Sequence, residues 1–128
     1  MPFAERDGVR LFYERGGDGP ELLFVPGWCC DHTFYAPQFE HFASSCTVTA
    51  IDPRGCGQSS RPDDGYDIPT LADDVAWLCE EIGISQPVVV GHSLAGMMVI
   101  ELLNPRLRKS AAVDCETVSA GTFRYTRR

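Results

Sequence analysis

Apolar and polar positions succeed one another in short, clearly bounded blocks along most of the chain. Residues 3–6 and 9–15 flank Asp7-Gly8, a two-residue hairpin signal. Gly16 to Pro20 reads as a turn. Glu21 to Val25 is a short apolar strand ended by Pro26-Gly27, and Pro37 opens a helix through Phe39, Phe42 and Ala43. Thr47 to Ile51 is the next strand, followed by a loop over 53–66 rich in Gly, Pro, Ser and Asp. Thr70 is expected to cap a helix, with Asp73 three residues on. In that helix Leu71, Val75, Leu78, Cys79 and Ile82 share a face, and Gly83 ends it. Pro87 to Val90 is continuously apolar, as in a strand buried on both faces. Leu94 to Leu103 is a helix apolar nearly all round, and so is expected to be buried.

Strands alternating with helices predict an α/β fold: a mostly parallel sheet with an N-terminal antiparallel hairpin and flanking helices. The order fades at Asn104-Pro105. Residues 1–103 carry 5 basic and 16 acidic side chains, whereas residues 104–128 carry 6 basic and 2 acidic ones. Two parts follow: residues 1–103 as the folded unit, and 104–128 as an atypical basic tail open to disorder. The formal charge of −7, without a basic stripe, argues against nucleic-acid binding. No apolar run approaches the roughly 18 residues of a membrane span. MPFAERDG places charges where a secretion signal would be apolar. A soluble cytoplasmic protein is the expectation. Its six cysteines, with no C-x-x-C pair, are then expected to be reduced thiols.

The chemistry centres on Gly91-His92-Ser93-Leu94-Ala95-Gly96, a G-x-S-x-G motif between a buried strand and a helix. So tight a turn leaves little room for flanking side chains, which accounts for Gly91 and Gly96, and it lifts the Ser93 hydroxyl into the open. The N-terminus of the following helix favours developing negative charge.

Together with VPGWCCD at 25–31 and DPRGCGQSS at 52–60, this elbow resembles the N-terminal half of a serine hydrolase of the α/β-hydrolase fold, over residues 9–103. The resemblance implies Ser93 as nucleophile and the backbone N–H groups of Trp28 and Leu94 as an oxyanion hole. It implies attack on an ester-like small substrate through an acyl-enzyme, with no metal or other cofactor. Pro26 stands where relatives usually show His, and Cys56 where His is common. The 52–59 loop is given a structural role. Ser at the elbow disfavours the dehalogenase and epoxide-hydrolase branches, which use Asp, and leaves cofactor-free haloperoxidases open.

The family places its catalytic acid and then its His after the serine. His32, His41 and His92 all precede Ser93. His32 is the nearest substitute base, and Asp114, near a sixth strand, is a vestigial acid candidate. A truncated hydrolase, with its tail replaced through a frameshift or altered splice, is the simplest expectation; such a chain would be inactive. Strand 87–90 would then lack an outer neighbour and expose an edge for self-association. Two further readings are a non-catalytic fragment binding a small apolar ligand or partner chain, and thiol chemistry at Cys29 and Cys30.

Overall fold

A computed structural model describes residues 2–102, 113–119 and 122–127. Its strands are β1 (Phe3–Arg6), β2 (Val9–Gly16), β3 (Glu21–Val25), β4 (Thr47–Ile51), β5 (Val88–Gly91), β6 (Val113–Ser119) and β7 (Thr122–Arg127). Its helices are α1 (Ala36–Phe42), α2 (Ile68–Glu81) and α3 (Leu94–Leu102), with a 3-10 turn at His32–Tyr35 that the hydrophobic pattern did not reveal. The strands form one sheet in the order β1-β2-β4-β3-β5-β7-β6. β3 runs parallel to both β4 and β5, and the other pairings are antiparallel.

The hairpin forms as expected. Asp7 at φ +52° and Gly8 at φ +78° supply the two left-handed residues that match the twist of the flanking strands. The three central strands are buried on both sides, and alternate residues go to opposite layers. Leu23, Val25, Ile51 and Val89 pack with α2 and α3. Leu22, Phe24, Val48 and Ala50 pack with Tyr35, Phe39 and Ala43.

Helix α2 starts earlier than the pattern suggested. Asp67, not Thr70, is its cap: the carboxylate accepts from the Thr70 amide at 3.0 Å and from its hydroxyl, and Pro69 lies in the first turn. Proline fits there because its missing N–H would have no helical acceptor. Those Thr70 bonds hold the Asp67 carboxyl below its ordinary range. The helix ends at Gly83, φ +73°, where the Gly83 and Ile84 amides turn back onto the carbonyls of Glu80 and Cys79.

Two expectations fail. Helix α3 buries only Ala95, Met98, Val99 and Leu102; Met97 is 56% and Ile100 59% exposed. Its sequence is apolar all round, but only one side faces the sheet and α2. Strand β5 is not an edge either, since β7 pairs antiparallel with Val88–Val90. Part of the expected tail is therefore strand, and the edge passes to β6.

One buried ion pair ties α2 to the loop after β4. Asp74, 4% exposed, accepts from Arg54 Nε and Nη2, each at 2.8 Å, and from Arg6 Nη2 at 3.3 Å. The Asp74 carboxylate raises the Arg54 guanidinium above its usual value. Removing one partner of such a pair leaves an uncompensated charge. Asp74→Ala should therefore cost about 3–5 kcal/mol in urea unfolding, whereas Asp73→Ala, on the exposed side of the same turn, should cost under about 1 kcal/mol.

Candidate active site

The C-terminal ends of β3, β4 and β5 bring three loops together. The turn after β5 carries Ser93 at φ +55°, a left-handed conformation that disfavours a residue with a Cβ. Local packing enforces it. A Cβ on Gly91 would lie 2.7 Å from the Ala95 carbonyl and 2.8 Å from Val99 Cγ2, so α3 can fold back closely only over a glycine. The Ala95 and Gly96 amides close onto the carbonyls of His92 and Ser93 at 3.0 and 2.9 Å. Gly96 is different: the nearest atom to a Cβ there is the Gly91 oxygen at 4.0 Å, so space alone does not demand glycine.

The loop after β3 presses on this elbow. A Cβ on Gly27 would come within 2.9 Å of the His92 carbonyl oxygen and 3.3 Å of Ser93 Cβ. The next residue, Trp28, turns its ring outward, 60% exposed. A turn closed by the Cys30 amide on the Gly27 carbonyl, 3.1 Å, follows, with Cys29 at φ +59°. Among the described residues, neither the Trp28 nor the Leu94 amide donates a hydrogen bond. Ser93 is exposed, and its hydroxyl has no hydrogen-bond partner among them.

Asp52, fully buried at the end of β4, anchors the loops. One carboxylate oxygen accepts from the His32 amide and lies 2.7 Å from His32 Nδ1; the other accepts from the Gln58 amide at 2.7 Å. Ser59 adds a second clasp, donating its hydroxyl to the Asp52 carbonyl at 2.6 Å and accepting the Phe12 amide at 2.9 Å. Asp31, His32 and Asp52 are also the group whose ligand atoms lie within 4.8 Å of one another. Those of Asp52 are already engaged by the loop amides and the His32 ring, so the cluster reads as a structural clamp.

Among the described residues no histidine is hydrogen-bonded to Ser93. His32 is held on Asp52 and tilted against Phe12, centroids 4.8 Å apart. Asp52 ends β4, two strands from β5, a lateral separation of about 10 Å at ordinary strand spacing. His41 is exposed beside Phe42. His92 stacks on Phe34 at 4.7 Å. Tyr35 belongs to the core: it stacks on Phe24 at 4.6 Å, and burial pushes its phenol up to about 12.

Asp114 is set apart from the elbow by the backbone register. It is the second residue of β6 and pairs with Thr126, whereas Thr122 pairs with Val90 near the elbow. Four residues of β7 therefore separate the two levels, about 13 Å along the sheet, and Asp114 lies toward the opposite end from Ser93.

Ser93 thus sits in a strained turn between a strand and a helix, with the Gly27–Trp28 loop packed against it. The chain matches the alpha/beta hydrolase fold family over residues 20–105 and belongs to it. It is 38% identical over 94 residues to the bifunctional esterase/perhydrolase DCH of Acinetobacter calcoaceticus, covering 71% of this chain and 34% of that protein. It is 34% identical over 98 residues to the non-heme chloroperoxidase CPO-A1 of Kitasatospora aureofaciens, covering 75% and 36%. The solved structure of Est816, described as an N-acyl homoserine lactone degrading enzyme, superposes with a TM-score of 0.78 at 33% identity, over 84% of this chain and 42% of that one. The chain thus spans about a third of the length of the curated relatives it matches. Among the described residues, no helix is long and apolar enough to cross a membrane.

Two stability measurements test this geometry. Ser93→Gly should be more stable than Ser93→Ala by about 1 kcal/mol, because glycine relieves the left-handed strain and alanine keeps it. Asp52→Asn should cost about 1–3 kcal/mol, because the new amide cannot accept from both sides and leaves the Gln58 or His32 donor unmatched. Urea midpoints read both.

Proposed function

We propose that Ser93 is the nucleophile of an α/β-hydrolase site for ester-like or lactone-like small molecules, and that this chain carries the nucleophile and oxyanion half of it. The observation that carries this reading is Ser93 at φ +55° at the N-terminus of α3, with the Trp28 and Leu94 amides donating to no acceptor among the described residues. Ser93 Oγ attacks the substrate carbonyl as its proton passes to a base. The two amides and the positive end of α3 stabilise the oxyanion. Collapse expels the alcohol, which takes up a proton, and leaves an acyl group on Ser93. Water then attacks the acyl carbon, releasing the acid and restoring the hydroxyl.

Among the described residues none of the chain's histidines is hydrogen-bonded to Ser93, and in this reading the base comes from elsewhere. Binding and an oxyanion hole still leave residual catalysis, about 10³–10⁴-fold over water in serine proteases stripped of a triad member. The esterase/perhydrolase and chloroperoxidase relatives favour a second outcome at the same acyl-enzyme. Hydrogen peroxide in place of water would yield a peracid and free Ser93, which fits a haloperoxidase-like activity.

A fluorophosphonate probe, read by intact mass on wild type and Ser93→Ala, tests the assignment. The expected result is slow formation of one adduct on wild type only, accelerated by added imidazole acting as the missing base. No adduct on a folded sample, with or without imidazole, would overturn the nucleophile assignment. It would leave a non-catalytic binding fragment. The opening of about 520 Å³ lined by Leu22, Phe24, Phe42 and Val90 would then be the place to look for an apolar ligand.

A further inference from the structure

The loop that carries Trp28 holds two thiols, and the loop after β4 brings a third against them. The two loops touch directly: a Cβ on Gly57 would lie 2.9 Å from Asp31 Cβ, and the Asp52 carboxylate binds the His32 and Gln58 amides at once. Within this clamp the Cys56 thiol faces the Cys29 backbone amide, and both Cys29 and Cys30 are close enough to act on its charge. Cys29 is exposed, and Cys56 and Cys30 are half-buried. Burial, together with the charges around it, pushes the Cys56 thiol up.

We propose that Cys29 and Cys56 form an oxidation site, in which hydrogen peroxide closes a disulfide between the loop after β3 and the loop after β4. The asymmetry of the pair sets the order of events. Exposed Cys29 reacts first: its thiolate sulfur attacks one peroxide oxygen, the O–O bond breaks, and water leaves once protonated. Cys29 is then a sulfenic acid. Cys56 Sγ attacks Cys29 Sγ, its proton goes to the departing hydroxyl, and a second water is released. Each sulfur gives up one electron, and the peroxide takes up two. Cys30 is a poorer partner for Cys29, since adjacent cysteines bridge only through a strained ring. The bond would fasten the loop that carries the Trp28 amide to the Asp52 anchor. It does not depend on the Ser93 assignment.

Peptide mapping of the folded chain tests it. The chain is treated with near-equimolar hydrogen peroxide, remaining thiols are blocked with maleimide, and cross-linked peptides are sequenced by mass spectrometry. The expected product is a Cys29–Cys56 link with loss of two hydrogen atoms, reversed by dithiothreitol. It should persist in Cys30→Ser and Cys46→Ser, and it should give way to a mixture of pairings in concentrated urea. In Cys56→Ser, Cys29 should remain as a sulfenic acid trapped by dimedone. Links to Cys30 or Cys46 at equal yield, chiefly interchain links, or full maleimide labelling of Cys29 and Cys56 after peroxide would each overturn the proposal. The wild-type map decides it even if the Cys56→Ser chain fails to fold.

Discussion

A buried carboxylate organises the loop-bearing end of the sheet in this molecule. Asp52 is fully buried, and an isolated buried charge is among the most costly features a fold can carry. It is tolerated because amide donors from two separate loops and the His32 ring converge on its oxygens. The dependence runs both ways. The loops need the carboxylate to fix their path, and the buried carboxylate needs the loop donors to replace the water it has lost. Gly57 lies so close that a Cβ there would collide with the carboxylate. The glycines of D-x-R-G-x-G-x-S thus serve chain geometry rather than chemistry.

From Asp52 the constraint passes across the sheet. The loop after β3 is pinned at His32, and its other end, at Gly27, presses on the His92–Ser93 peptide. β3 lies between β4 and β5, so this loop joins the anchor to the elbow. Behind the elbow, Gly91 lets α3 approach β5, and α3 is itself seated on α2 through Met98, Val99 and Leu102. The strained backbone at Ser93 persists because the surroundings over-determine it. Strain at the serine and unpaired amides beside it both oppose stability, and both are offset by the double-sided core beneath.

The sequence was most informative where one residue type answers one physical need. Gly91 and Gly27 mark close backbone approaches, Asp7-Gly8 marks a left-handed turn, and the unbroken apolar run of β3 marks burial on both faces. It was less informative where several residues compete for one role. Asp67 and Thr70 both suit a helix cap, and Pro69 between them decides in favour of the earlier start. Helix α3 misled because composition cannot say how many sides of a helix find partners; Met97 and Ile100 stay exposed. The pairing of β7 with β5, and the level of Asp114, depend on contacts between distant segments that no local pattern encodes. The placement of Cys56 beside Cys29 has the same origin, since Asp52 brings their loops together across 27 positions of sequence.

The turn at Ser93, the proposed oxyanion amides and the anchor behind them are built from residues 10–102, before any contribution from a base. That independence is physically reasonable. A nucleophile elbow needs steric enforcement, which neighbouring strands and helices supply through packing. A base needs only to reach one hydroxyl from the solvent-facing side, and a flexible or separate element can supply it. The two halves of such a site are therefore coupled through the substrate and the proton rather than through the core. In the proposed site, the positive end of α3 and the Trp28 amide would stay poised for negative charge whether or not an imidazole is present. On this view the scaffold fixes where charge can develop, and the base fixes only how fast it does.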